Sequence, residues 1–170
     1  MSSWATWRKL DSGGCSFAGE SDEIMSQEEG RDQALKILVF STETISDPGI
    51  DFAGSAHLPY DPAALVVTLP CSSGIKPQWI LHAIDEGFDG VFIAADGTDC
   101  AFLPDCTRRT GDLFARAQSL LKESGHDPRR LKMAAICSVC AESFARHVEN
   151  FGRELAGLNR EEETHAAVGG

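Results

Sequence analysis

The sequence predicts a doubly wound α/β domain built on a parallel sheet. Three observations carry that expectation: four short apolar runs with little alternation, amphipathic helical stripes between them, and spacings that leave room for one crossover per pair. Near-continuous hydrophobicity marks strands covered on both faces. With 170 residues, 42% of them hydrophobic, the chain suits one such domain with a tail. The expected form is a single flavodoxin-like or Rossmann-like domain over residues 35–158, with a mainly parallel four-stranded sheet.

The first strand is read in "LKILVF" (35–40). The connection after it, 42–63, is less regular and carries Pro48, Gly49 and Gly54. The second strand is "ALVVTL" (64–69). Pro77 then suits a helix start, Ile80, Leu81 and Ile84 supply one apolar face, and Gly87 stops it. The third strand is "GVFIAA" (90–95). Residues 108–124 place Leu113, Phe114, Ala117, Leu120 and Leu121 on a stripe that Gly125 ends. The fourth strand is "LKMAAI" (131–136), and a helix over 139–158 follows with Phe144, Val148, Phe151 and Leu155.

Outside the domain, residues 1–34 are rich in Ser, Gly and acids without a sustained period, which reads as a flexible arm. Trp4, Trp7 and Phe17 make that arm apolar enough to lie on a partner. Residues 159–170 are expected to fray. A net charge of −11 argues against nonspecific binding to phosphate backbones or anionic membranes. No apolar run approaches the roughly 20 residues of a membrane span, so a soluble, cytoplasmic protein is expected, without nucleic acid and without membrane insertion.

The six cysteines carry the chemistry. Cys71 follows the second strand, Cys100 and Cys106 follow the third, and Cys137 and Cys140 follow the fourth. In an open parallel sheet the carboxyl ends of the strands share one edge, and ligands bind there. Five cysteines therefore converge on one rim, whereas each alone would read as a small buried hydrophobe. The set admits an iron–sulfur cluster, a structural zinc or a reactive dithiol. A single CxxC, "CSVC" at 137–140, falls short of the paired knuckles of a zinc finger.

From residue 36 onward the chain resembles the delta subunit of methyl-viologen-reducing hydrogenase, the hydrogenase iron–sulfur subunit family. The resemblance rests on "DFAGSAHLPYDP" (51–62), "PCSSGIKPQWILHAIDEGFDGVFIA" (70–94), "DC" (99–100), "ESGHDPRRLKMAAI" (123–136) and "ESFARHVENF" (142–151). It implies an α/β domain holding a [2Fe–2S] cluster in an anaerobic redox complex. The protein would pass electrons between an oxidoreductase module and a flavin-containing, heterodisulfide-reductase-A-like subunit, alongside other iron–sulfur subunits. The sequence departs from the family where ligands are expected. Ser41, Thr42 and Ile45 stand where the family carries Cys-Cys-x-x-Cys, and Asp96 replaces a cysteine after the third strand. Cys71 and Cys100 keep family ligand positions, so Cys71, Cys100, Cys137 and Cys140 form the expected metal-ligand set. The rival expectation is a structural adaptor that has lost its cluster. No catalytic residue or substrate turnover is expected on this chain.

Other motifs read more plainly. "PCSSGIKP" has one glycine and suits a turn better than a phosphate loop, and Ser41, Thr42 and Thr44 suit capping. His57 and His82 offer imidazoles, and Asp96, Asp99 and Asp105 offer carboxylates, but such groups ordinarily stand on solvated faces. "RRTGDLFAR" (108–116) and "PRR" (128–130) concentrate basic residues, as docking contacts or as solvated faces.

Overall fold

A computed structural model describes residues 35–60, 64–97, 100 and 102–168. The expected N-terminal arm, with Trp4, Trp7, Cys15 and Phe17, lies outside the described residues. So does Asp99.

Four strands form one sheet: β1 (Ile37–Thr42), β2 (Ala64–Leu69), β3 (Gly90–Ala95) and β4 (Leu131–Ala135). Their order is β2-β1-β3-β4, and every pairing is parallel. The α/β expectation is met, and the topological switch point falls between β1 and β3, where Ile37 pairs with Ala64 on one side and Gly90 on the other. β1 and β3 are buried along their whole length, which explains their continuous apolar runs.

Two helical layers sandwich the sheet. Helices α1 (Ser46–Ser55) and α4 (Ala141–Val168) pack on the face carrying Ile37, Val39, Phe92 and Ala94. On the other face, α2 (Pro77–Asp85) and α3 (Cys106–Glu123) cover Leu38, Phe40, Val91 and Ile93. Phe92, Phe144 and Phe151 are completely enclosed; burying each such side chain contributes roughly 1.5–3 kcal/mol. The predicted stops hold. Gly87 and Gly125 take φ of 90° and 86°, and after each the chain returns a hydrogen bond to the helix, Phe88 N to Ala83 O at 3.1 Å and His126 N to Leu121 O at 2.9 Å.

Two stretches differ from the sequence reading. The irregular connection after β1 contains α1, whose Pro48 sits in the first turn where a missing N–H costs nothing. And α4 continues to Val168, through residues expected to fray. Its last turns are anchored by Arg129 to Glu161 (3.1 Å) and by Arg130 to Glu162 (2.8 Å) and Asn159 (2.9 Å). Among the described residues no helix is long and apolar enough to cross a membrane.

Candidate metal centre

The carboxyl rim of the sheet is built from four strand ends. At the end of β1, Ser41 and Thr42 are buried and bonded to neighbouring oxygens. Ser41 Oγ donates to Asp47 Oδ1 (2.9 Å), which also accepts from Thr68 (3.0 Å). Thr42 N–H donates to Ser46 Oγ (2.7 Å), Ser46 Oγ donates to the Ala94 carbonyl (2.9 Å), and Thr42 Oγ1 donates to Asp96 Oδ1 (2.5 Å). This hydroxyl lattice occupies the switch point and leaves none of its own side-chain donors unmatched.

Beyond β2, Cys71 precedes a one-turn 3-10 segment, Ser72–Gly74. Its Sγ lies 3.0 Å from Ser73 Oγ and 3.6 Å from Cys106 Sγ. Cys106 is the first residue of α3 and is buried, with Ser72 Oγ at 3.8 Å and Asp96 Oδ2 at 4.0 Å. Donor atoms of Asp96, Cys100 and Cys106 all lie within 4.8 Å of one another. The two closest thiols differ in character. Burial pushes the Cys71 thiol up, but hydrogen bonds from Ser73 and Cys106 outweigh it, so its pKa falls below the ordinary value. Burial raises that of Cys106, and the neighbouring Cys71 adds to the rise.

The expected four-sulfur set therefore divides. Cys71 and Cys100 stand at this grouping, but Cys137 and Cys140 are joined to each other in a disulfide with Cα atoms 5.0 Å apart. A disulfide sulfur carries no thiolate charge and is a poor ligand. The turn that pairs them is closed by Cys140 N–H donating to Cys137 O at 3.0 Å. Cys106 and Asp96 take the vacant places beside Cys71 and Cys100. The signal for Asp96 was its position, where the family resemblance implies a cysteine. Cys106 was visible only as an extra thiol after the third strand.

The remaining candidates lie elsewhere. His57 is exposed and has φ of 52°, and His82 is exposed with Glu86 at 3.9 Å. Asp105 holds Arg108 (2.8 Å) and Arg109 (3.0 Å), and Asp127 holds Arg129 (2.7 Å). The basic stretches are thus largely neutralised by their own acidic neighbours.

An open parallel α/β domain with a thiol-lined carboxyl rim defines the class. Residues 37–159 match the family described as methyl-viologen-reducing hydrogenase, delta subunit, and the chain belongs to that family. It is 31% identical over 113 residues to the D-type iron-sulfur subunit of the F420-non-reducing hydrogenase of Archaeoglobus profundus, covering 64% of this chain and 79% of that one. Against the D-type vhc iron-sulfur subunit of the F420-non-reducing hydrogenase of Methanococcus voltae, identity is 40% over 58 residues, 34% of this chain and 40% of the relative. The A-type subunit of the ferredoxin:CoB-CoM heterodisulfide reductase of Methanosarcina mazei is 27% identical over 145 residues. That match takes in 80% of this chain but only 18% of the much longer relative.

The residues present do not fit the two-iron cluster that the family resemblance implies. Such a cluster needs two ligand pairs, one on each iron, astride bridging sulfides. The β1 side of the rim offers hydroxyls already bonded to oxygen acceptors, and the CxxC sulfurs are bonded together.

Proposed function

We propose that this chain is a bridging subunit of a hydrogenase–heterodisulfide-reductase-type redox complex, seated between an oxidoreductase module and a flavin-containing, heterodisulfide-reductase-A-like protein. The match to a segment of the A-type subunit of heterodisulfide reductase carries this reading. There a domain of this kind belongs to the same polypeptide as the rest of the A-type protein, and covalent continuity keeps two surfaces at high effective concentration. A separate chain with the same domain needs a docking surface instead. The outer strand β2 offers one: Leu65 (55% exposed) and Val67 (37%) are apolar, and among the described residues β2 pairs only with β1.

Of the two expected roles, adaptor is favoured over electron relay by the β1 lattice, in which Ser41 and Thr42 hold hydrogen bonds where the resemblance implies cysteines. The relay reading retains one specific support, the iron-sulfur subunit names of the hydrogenase relatives.

The test is anaerobic mixing of the purified full chain with the purified A-type flavoprotein of the same organism, followed by size-exclusion chromatography. Co-elution at one to one is expected, without acid-labile sulfide on this chain, and Leu65→Glu with Val67→Glu should weaken the complex at least about tenfold. Separate elution would overturn the bridging role. Sulfide together with two irons on this chain would restore the relay.

A further inference from the structure

We propose that Cys71, Asp96, Cys100 and Cys106 form a tetrahedral site for one thiophilic divalent ion of the zinc or ferrous class. This goes beyond the bridging role, and its test requires no partner protein.

Distance is the first argument. Metal–sulfur bonds of about 2.3 Å at tetrahedral angles place two thiolates about 3.8 Å apart. The Cys71 and Cys106 sulfurs stand 3.6 Å apart. Cys106 Sγ is also 4.0 Å from Asp96 Oδ2, and the trio Asp96, Cys100 and Cys106 fits within 4.8 Å. Sulfur–oxygen edges of such a site are about 3.5 Å, so closure draws the donors of the trio inward by up to about 1.3 Å. Cys71 is not part of that trio and approaches it through Cys106, so closing the tetrahedron requires its sulfur to move toward Asp96 and Cys100.

Charge is the second argument. Asp96 is only 6% exposed. Thr42 occupies one carboxylate oxygen and the other faces Cys106. Among the described residues no Lys, Arg or His forms an ion pair with Asp96. A buried carboxylate without a counter-charge is costly, and a divalent ion at this point supplies one. Three thiolates and one carboxylate in tetrahedral array select zinc or ferrous iron over hard cations, which take more oxygen ligands.

The surroundings complete the site. Thr42 orients Asp96, while Ser73 beside Cys71 and Ser72 beside Cys106 place hydroxyls against the sulfurs. Metal ligands are ordinarily held by outer partners of this kind.

The experiment uses the full chain with Cys15, Cys137 and Cys140 all replaced by serine, so that only the three rim thiols remain. After chelation and dialysis it is titrated anaerobically with cobalt(II), a coloured stand-in for zinc, and then with zinc. Expected is saturation at one cobalt per chain, with sulfur-to-cobalt charge-transfer absorption and the intense visible bands of tetrahedral cobalt, both abolished by one equivalent of zinc. Cys106→Ser should remove the charge-transfer gain from its sulfur and weaken binding at least about tenfold. Asp96→Asn, which preserves shape, and Thr42→Val should each weaken it about 10- to 100-fold. Circular dichroism of each variant verifies the fold. An octahedral, weakly coloured cobalt spectrum, binding unaffected by both Cys106→Ser and Asp96→Asn, or isolation of the unmodified chain with two irons and two sulfides would overturn the assignment.

Discussion

Alanine at position 49 should weaken the fold by about 2 kcal/mol, although glycine-to-alanine changes within helices ordinarily strengthen it. Gly49 lies in α1 and is buried. Removing a helical glycine contributes roughly 1 kcal/mol of stability through the unfolded chain. Here the added Cβ would overlap the Cys137 carbonyl oxygen, with the carbonyl carbon at 3.5 Å and Ile136 Cγ2 at 3.6 Å. That oxygen is main chain and accepts the Cys140 N–H within the disulfide-closed turn, so it cannot rotate aside. Relief requires α1 to separate from the junction between β4 and α4. Overpacking costs typically 1–3 kcal/mol, and a backbone obstacle places this case near about 3. The net loss of about 2 kcal/mol corresponds to a fall in Tm of roughly 4–8 °C for a chain of this length. Gly111→Ala provides the comparison, since it lies inside α3 with nothing within 4 Å of the added carbon. That change should raise stability by about 0.5–1 kcal/mol. Urea unfolding followed by circular dichroism at constant m value measures both. The reasoning fails if Gly49→Ala is as stable as the parent chain, or shifts in the same direction as Gly111→Ala.

Two further substitutions address the far end of the molecule and its pH response. Arg130 is buried and donates to the Asp89 carbonyl (2.8 Å), Asn159 (2.9 Å) and Glu162 (2.8 Å). Arg130→Met keeps the stem but strands these acceptors, and should cost about 2 kcal/mol; a loss below about 0.5 kcal/mol in urea midpoints would show that the pairs contribute little. His147 lies against Phe92, and burial, followed by Lys132 and Arg146, lowers its pKa below the ordinary value. The unfolded chain therefore takes up this proton first. The contribution is fully present above about pH 6.5 and is lost as pH falls toward the depressed folded value. His147→Gln should make the midpoint difference between pH 7.5 and pH 5.5 smaller, and an unchanged difference would exclude His147 as its source.

The fold was legible because strands buried on both faces leave an unbroken apolar record. β2 and β3 fall where the sequence places them, at 64–69 and 90–95. α1 was not legible, since Pro48, Gly49 and Gly54 carry local signals of a turn, and the close approach that requires a glycine at 49 comes from residue 137 in another element. The length of α4 was hidden for a similar reason. Its last turns are polar, and their anchors Arg129 and Arg130 lie about thirty residues upstream. At the rim, the rule that ligands gather at carboxyl ends pointed to Cys71 and Cys100. It could not choose between Cys106 and the CxxC pair. That choice depends on the turn that closes Cys137 onto Cys140 and on the place of Cys106 at the start of α3, 3.6 Å from Cys71. The spacing of a CxxC is compatible with a metal, a dithiol or a disulfide alike.

The oxygen-for-sulfur exchange at the end of β1 has a bearing on how the protein can be handled. Thiolates climb an oxidation ladder in air; the alcohols of serine and threonine do not. The β1 end of the sheet's working edge thus carries no thiol to oxidise, and on this rim the described free thiols stand on the flank with Cys71, Cys100 and Cys106. Aerobic handling of the protein therefore leaves the hydroxyls in the middle of that edge unaltered.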